Sequence, residues 1–117
     1  MPYTGFAEAL SGEQEVQITV VRAKDGSRRT LPVWFSVHGS KLELLPMHGL
    51  KTRWFMDLER NGEMEVKAKD KSRIATPVIV LDSAAVEATK NRFGLKYGLG
   101  DVRKYYPTSE VALEISL

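Results

Sequence analysis

A chain of 117 residues is long enough for one domain with a buried core. Hydrophobic residues make up 43% of it and charged residues 27%, a balance that is typical of globular proteins and argues against global disorder. The 17 lysines and arginines nearly match the 15 acidic residues, and the two signs are interspersed, so the charge predicts no nucleic-acid-binding tail. The absence of cysteine excludes disulfide bonds, thiolate metal sites and cysteine nucleophiles.

The beginning of the sequence predicts no export signal. Residues 1–11 lack a basic stretch followed by an apolar core, and no run approaches the roughly 20 apolar residues that a membrane-spanning helix needs. The lack of cysteine fits a reducing compartment. Together these features predict a cytoplasmic protein.

The first half of the sequence predicts a helix followed by three strands. A short helix over residues 4–10 precedes a strand over residues 13–23, in which apolar residues alternate with polar ones. An Asp-Gly turn then leads to a second strand over residues 28–38, and a Gly-Ser turn leads to a third over residues 41–47. In the second strand two sets of side chains face opposite ways: Leu31, Val33, Phe35 and Val37 on one side, and Trp34, Ser36 and His38 on the other.

The middle of the sequence predicts a helix and two more strands. The helix covers residues 51–60 and ends at an Asn-Gly pair, because both residues tolerate left-handed backbone. Strands over residues 63–69 and 74–81 follow, separated by a turn at residues 70–73. Within the second of these, Pro77 indicates an edge strand or a bulge, since proline donates no hydrogen bond to a sheet.

The C-terminal part predicts a long helix over residues 83–97 with Asp82 as its N-cap. A glycine-rich stop, a short helix over residues 101–106 and a last strand over residues 110–117 come next. Tight turns between the early strands make them antiparallel. The order of elements therefore predicts one α+β domain over residues 1–117, with a mainly antiparallel sheet or a partly open barrel.

A possible phosphate site lies where the third strand gives way to the next helix. The first turn of the predicted helix holds Lys51, Thr52 and Arg53, beside free backbone N–H groups and the positive end of the helix dipole. Gly49 would let the backbone approach a ligand closely. The alternative is a turn glycine followed by charges that only face water.

The same region resembles a known family. The sequence Ser-Arg-Arg-Thr-Leu-Pro-Val-Trp-Phe at residues 27–35, together with residues 42–47, 49–54 and 58–61, resembles the flavin-binding split β-barrel superfamily. Within it, the small deazaflavin-dependent nitroreductase-like and pyridoxamine-phosphate-oxidase-like proteins are most similar. The resemblance covers about residues 15–81. The chain departs from the family pattern at the turn before residue 28 and at Gly62, where relatives have proline.

The resemblance implies a six-stranded antiparallel split β-barrel with a few peripheral helices, which forms a homodimer with FMN or a deazaflavin at the subunit interface. It implies an oxidoreductase whose cofactor carries out the hydride chemistry while the protein binds and orients it. The phosphate would lie near residues 48–54 and the ring near residues 32–36. The candidate cofactor-binding residues are Arg28, Arg29, Pro32, Trp34, Ser36, His48, Gly49, Lys51, Thr52, Arg53 and Trp54. No catalytic residue is assigned.

Two other functions are compatible with these residues. One is a non-catalytic module that binds an anionic planar ligand, flavin or haem. The other is a nucleic-acid-binding barrel, which the nearly neutral charge balance disfavours. His38 and His48 are the only histidines and have no acidic neighbour in the sequence, so no metal site is predicted. A cluster of tyrosines and basic residues near the C-terminus could contact a substrate, although such clusters more often pack at a helix end: Tyr97, Tyr105, Tyr106, Lys96, Arg103 and Lys104.

Overall fold

The computed structural model describes residues 4–108 and 110–117 of the chain. This part contains four α-helices and eight strands. The helices are α1 (Thr4–Leu10), α2 (Arg53–Asn61), α3 (Ser83–Tyr97) and α4 (Leu99–Tyr105). The strands are β1 (Val16–Val21), β2 (Arg28–Val33), β3 (Phe35–His38), β4 (Lys41–Leu44), β5 (Met64–Ala68), β6 (Lys71–Ala75), β7 (Val78–Val80) and β8 (Ala112–Ser116). A single 3-10 turn, Gly49–Lys51, precedes α2.

The strands form two four-stranded sheets in which every pairing is antiparallel. The first sheet has the order β2-β1-β5-β6 and the second has the order β3-β4-β8-β7. The chain passes directly from β2 to β3 at Trp34, and from β6 to β7 through Thr76 and Pro77. Because these are edge strands of both sheets, the two sheets are joined along both sides without closing into one continuous barrel.

The predicted count of six strands is wrong, because two of the predicted strands are each divided between the sheets. The strand expected over residues 28–38 breaks at Trp34, and the one expected over residues 74–81 breaks at Thr76 and Pro77. The turn expected at residues 70–73 is also wrong, since β6 already begins at Lys71. The predicted alternation is nevertheless kept across the first break: Leu31, Val33 and Phe35 contact the core between the sheets.

The main core fills the space between the two sheets. The inner faces contribute buried aliphatic side chains from four strands: Val16, Ile18, Val20, Leu42, Leu44, Met64, Val66, Leu113 and Ile115. Helices α1 and α2 cover the ends of this core with Phe6, Leu10, Phe55 and Leu58. Burial of each such side chain contributes about 1.5–3 kcal/mol, so this core supplies most of the free energy that favours the folded state.

A second, smaller core lies on the outer face of the second sheet, under α3 and α4. It contains Leu45, Val86, Phe93, Val102, Tyr106 and Ala112, with Trp34 and Tyr97 packed against it. The predicted N-cap of α3 is confirmed, because Asp82 Oδ2 accepts a hydrogen bond from the Ala85 N–H at 2.9 Å. Among the described residues, no helix is long and apolar enough to cross a membrane.

A buried ion pair joins α3 to the same sheet face. Glu43, which is 1% exposed, accepts hydrogen bonds from Arg92 Nε at 2.7 Å and from Ser36 Oγ at 2.8 Å. Thr89 Oγ1 donates a further bond to Glu43 at 3.2 Å. Burial by itself would raise the pKa of Glu43, but the bonds from Arg92 and Ser36 hold it below its ordinary value. Glu43 therefore stays ionised inside the fold.

Candidate functional site

A cavity of about 450 Å³ lies beside β2, where the first sheet ends. Arg29, Leu31 and Val33 follow one another along the inner face of this edge strand, opposite apolar residues of β1. Since none of the described strands flanks β2 on this side, its inner face is only half covered. The other walls come from the segment after β4, from α2 and from the end of α4, through Leu45, Met47, His48, Trp54, Tyr105 and Tyr106. We call this space the aromatic cavity.

One end of the aromatic cavity is formed by a cluster of aromatic rings. Trp34 stacks on Tyr97 with ring centroids 4.1 Å apart and planes 11° from parallel. Tyr105 meets Trp34 edge to face, and Tyr106 lies with its centroid 6.0 Å from that of Trp34. Burial raises the pKa of Tyr97 to about 12 and raises that of Tyr106 as well, so both phenols are neutral near physiological pH. This end suits a flat, uncharged ring.

A smaller pocket of about 250 Å³ lies at the other end of β2 and is strongly basic. Arg22 and Lys24 reach it from the β1–β2 turn, Arg29 from β2, and Arg53 from the first turn of α2. Among the described residues that line it, Asp57, one helical turn after Arg53, is the acidic one. We call this space the basic pocket. Because Arg29 lines both spaces, the basic pocket and the aromatic cavity are neighbours along one strand.

Six of the eleven predicted cofactor-binding residues line these two spaces. Arg29, Pro32, Trp34, His48 and Trp54 line the aromatic cavity. Arg53 lines the basic pocket beside Arg29. The structure thus brings together residues from β2, the strand break, the segment after β4 and α2.

The other predicted residues lie elsewhere or serve contacts within the fold. Arg28 faces away from Arg29 and pairs with Glu65 of β5 at 3.3 Å. Ser36 is buried on the outer face of the second sheet, where it donates to Glu43. Lys51 is exposed and lines neither space.

The segment expected to cradle a phosphate contains several internal contacts. The helix begins at Arg53 rather than Lys51, after the 3-10 turn. Thr52 Oγ1 accepts the His48 N–H at 2.8 Å. Gly49 has a φ of +61°, and a Cβ there would overlap Glu110 Oε1. The close approach that Gly49 permits is therefore to a carboxylate of this chain.

Sequence reasoning missed Arg22 and Lys24 as members of the basic pocket. Both lie just before the Asp-Gly pair, and the hairpin turn brings them near Arg29 on the following strand. The hairpin pattern alone could have predicted that these basic residues lie close together, since Arg22, Lys24 and Arg29 lie at the same end of the hairpin. Among the residues that the structure describes, no group of three histidine or acidic side chains could hold a metal ion.

Comparisons with solved structures identify the architecture. The chain superposes on a conserved hypothetical protein from Mycobacterium tuberculosis with a TM-score of 0.76 at 14% identity, over 98% of this chain and 79% of that one. The split-barrel fold is confirmed. The haem storage protein of Vibrio cholerae gives a TM-score of 0.74 at 15% identity, with 96% and 87% of the two chains covered. An F420-H2-dependent reductase gives 0.65 at 16% identity, with 89% and 95% covered.

These similarities concern the fold. The sequence matches no protein-family model and no curated protein. One fold serves many functions, so these similarities assign neither a ligand nor an activity to this chain.

Proposed function

We propose that this split-barrel protein binds FMN or a deazaflavin along β2 and acts as an oxidoreductase. The observation that carries the proposal is the junction at Arg29 between an aromatic cavity and a basic pocket. From Arg29 to Trp34 the strand spans about 16 Å, at roughly 3.3 Å per residue. That span suits a planar ring joined to a phosphate by a five-carbon chain.

The residues of both spaces fit the two ends of such a cofactor. Arg29 and Arg53 would bind the phosphate with charge-assisted hydrogen bonds. Trp34 and Tyr106 would orient the ring and exclude water from one side of it. A bound flavin or deazaflavin supplies hydride transfer, and the protein supplies binding, orientation and access. The F420-H2-dependent reductase of the same fold supports this assignment.

The test is a binding titration of the purified protein with FMN and with a deazaflavin, followed by absorbance and fluorescence. We expect Arg29→Met and Arg53→Met each to weaken binding about tenfold or more, the loss typical of a hydrogen bond to a charged group. Arg28→Met is the matched control, because Arg28 lies next to Arg29 but pairs with Glu65 on the opposite face. Failure of the wild type to retain either cofactor, or an equal loss in Arg28→Met, would contradict the proposal.

Turnover needs a separate measurement. With FMN bound, we expect the protein to accelerate hydride transfer from a reduced nicotinamide to an added quinone. With a reduced deazaflavin bound, we expect hydride transfer from that cofactor to the same quinone, and in each case a proton from solvent completes the quinol. Binding without such turnover would leave a non-catalytic cofactor carrier.

A second candidate is a non-catalytic protein that binds haem. Haem is flat and anionic, like FMN or a deazaflavin. His48 favours it, because this imidazole lines the aromatic cavity and could ligate an iron ion. The haem storage protein of the same fold adds support. A Soret band on titration with haemin, shifted in His48→Ala, would select this candidate over the first.

We further propose that the protein functions as a homodimer. Apolar side chains are exposed on the edge strand β7 and just after it: Val78, Ile79 and Leu81. An exposed apolar edge strand is typical of a surface that another chain covers. Light scattering after gel filtration should give twice the mass of one chain, and a monomer would contradict this part of the proposal.

A further inference from the structure

Glu15 brings a carboxylate to the aromatic end of the cavity. It directly precedes β1, and the pairing register of β1 with β2, continued by one residue, places it opposite Trp34. Among the described residues that line the aromatic cavity, Glu15 is the acidic one. The backbone is held at the neighbouring residue, because the Gln14 carbonyl oxygen accepts the Tyr97 hydroxyl at 2.6 Å. The position of Glu15 beside the rings is therefore set by the backbone on both sides of it.

The charge of Glu15 acts on the rings and is not neutralised by an ion pair of the fold. The side chain is exposed, and within residues 4–108 and 110–117 it belongs to none of the ion pairs. Burial is the main cause that raises the pKa of Tyr97 to about 12, and the charge of Glu15 adds to that rise. The carboxylate is therefore close enough to the aromatic cluster to act on a ligand bound there.

The rings of the cavity favour the same sign of charge in a ligand, because the faces of aromatic rings attract cations. Four aromatic side chains line the cavity: Trp34, Trp54, Tyr105 and Tyr106. Lys104 Nζ already lies 5.3 Å from the centroid of the Tyr105 ring, although this lysine does not line the cavity. Arg29 does line it, but about 16 Å from Trp34 along the backbone of the strand. The aromatic end thus combines ring faces with one carboxylate, away from the basic pocket.

We propose that the aromatic end of the cavity binds a flat organic cation, with Glu15 as its counter-charge. The rings by themselves accept an uncharged ring, and the carboxylate adds the preference for a positive one. The cofactors proposed above carry no positive charge, so the cation is a second ligand of the same cavity. Its place as the substrate of an oxidoreductase rests on the proposed function, whereas its binding does not.

The experiment compares two ligands that have the same rings and the same number of heavy atoms. N-methylquinolinium is a cation, whereas methylquinoline, with its methyl group on carbon, is uncharged just above neutral pH. Calorimetric titration of the purified protein, without added cofactor, gives the affinity for each. NMR of the indole N–H groups locates the bound ligand, because the two tryptophans of the chain, Trp34 and Trp54, both line the cavity.

The variants change the charge at one position and compare it with a matched neighbour. Glu15→Gln removes the charge and keeps the shape, and Glu15→Lys reverses the charge. Glu13→Gln is the control, because Glu13 lines a polar pocket together with Glu15 but does not line the aromatic cavity.

We expect the wild type to bind N-methylquinolinium about fivefold more tightly than methylquinoline, since ring faces and a partly screened carboxylate each add modestly to the affinity. The indole signal of Trp34 should shift on binding. In Glu15→Gln the preference should fall to about twofold, which the rings alone supply. In Glu15→Lys methylquinoline should bind more tightly than the cation. Glu13→Gln should keep the preference of the wild type.

The inference is wrong if the wild type binds the two ligands equally or binds neither, or if Glu15→Gln keeps the full preference. It is also wrong if Glu13→Gln loses as much as Glu15→Gln, because surface charge in general would then be the cause, or if neither indole signal moves. Its failure is distinguishable from that of the proposed function. A protein that retains FMN but does not prefer the cation refutes this inference alone. A protein that prefers the cation but retains neither FMN nor a deazaflavin refutes only the assigned cofactor.

Discussion

Trp34 lies face to face with Tyr97, and the same tyrosine holds the chain at the point where β2 becomes β3. The Tyr97 hydroxyl is 3.0 Å from the Phe35 N–H that it accepts and 2.6 Å from the Gln14 carbonyl oxygen to which it donates. One side chain of α3 thus supports the Trp34 ring at the aromatic cavity and links the backbone just after the strand break, at Phe35, to the segment before β1, at Gln14. The position of the cavity wall is coupled to the crossing between the two sheets.

Tyr97→Phe tests this coupling, because it keeps the ring stack and removes the hydroxyl. Loss of the hydroxyl leaves two backbone groups with one partner fewer, and we expect the free energy of unfolding to fall by about 1–3 kcal/mol. Urea denaturation measures it. Tyr105→Phe is the control, since Tyr105 is 40% exposed, and it should change stability by less than about 0.5 kcal/mol. Equal stability of the two variants would show that the hydroxyl does not anchor the break.

The elements that were predicted well are those fixed by local signals. Helix α1 lies where the sequence predicted it, and α3 runs from Ser83 to Tyr97 as the Asp82 cap and the glycine-rich stop indicated. The break at Trp34 carries no comparable local signal, and at the other break Pro77 indicated an edge strand or a bulge but not a change of sheet. Both breaks exist because two edge strands each pass from one sheet to the other, which depends on how both sheets pack around the common core.

The site shows the same division between local and distant causes. Strand alternation separates Arg29, which faces the cavity, from Arg28, which pairs with Glu65, and the sequence pattern contained that distinction. The position of Glu110 over Gly49 could not be predicted, since these residues are far apart in the chain and meet only in the folded state. The polar network around Glu43 was missed for the same reason.

Breaking the Glu43–Arg92 pair should be strongly destabilising. Arg92→Met leaves the carboxylate of Glu43, which is 1% exposed, without its cation, and we expect a loss of about 3 kcal/mol or more in the free energy of unfolding. The double variant Glu43→Met/Arg92→Met removes both charges and should recover much of the loss. Chemical denaturation of the three proteins compares them. A double variant as unstable as Arg92→Met would show that packing, and not the unpaired charge, causes the effect.

The same pair predicts a pH dependence of stability. The folded state holds the pKa of Glu43 below its ordinary value of 4.5, so the unfolded state binds more protons just below that pH. The contribution of Glu43 is therefore fully present above about pH 4.5 and is lost as the pH falls through the folded-state pKa. We expect the stability difference between the wild type and Glu43→Gln to shrink over that range. A stability difference between these two proteins that does not change with pH would contradict the prediction.

Lys96 predicts a second pH dependence of stability, in the alkaline range. Here the group is a lysine, which is charged when it is protonated. Its Nζ donates to the Phe35 carbonyl oxygen at 3.0 Å, and it lies 3.3 Å from the centroid of the Phe35 ring, partners without a full negative charge. Burial lowers the pKa of Lys96 from 10.5 to about 8. Between these values the unfolded state binds more protons, so this residue makes stability rise with pH. The rise should be absent in Lys96→Met, and NMR of the Lys96 Cε should show the titration directly.

Alanine substitutions at Gly49 and Gly62 separate two costs in stability. One is the strain of left-handed backbone, and the other is the overlap of a new Cβ with neighbouring side chains. Both glycines have positive φ, but a Cβ at Gly62 meets open space, whereas one at Gly49 overlaps Glu110 and comes within 2.7 Å of Thr108 Oγ1. Gly62→Ala should cost about 1–2 kcal/mol of stability, the strain of one left-handed residue. Gly49→Ala should cost more, because Glu110 and Thr108 must also move. If overlap is the cause, the added Thr108→Ala and Glu110→Ala changes will reduce the cost of Gly49→Ala to that of Gly62→Ala. An equal cost at the two glycines from the start would mean that the Thr108 and Glu110 side chains move aside freely, and that the contact over Gly49 does not shape this side of the site.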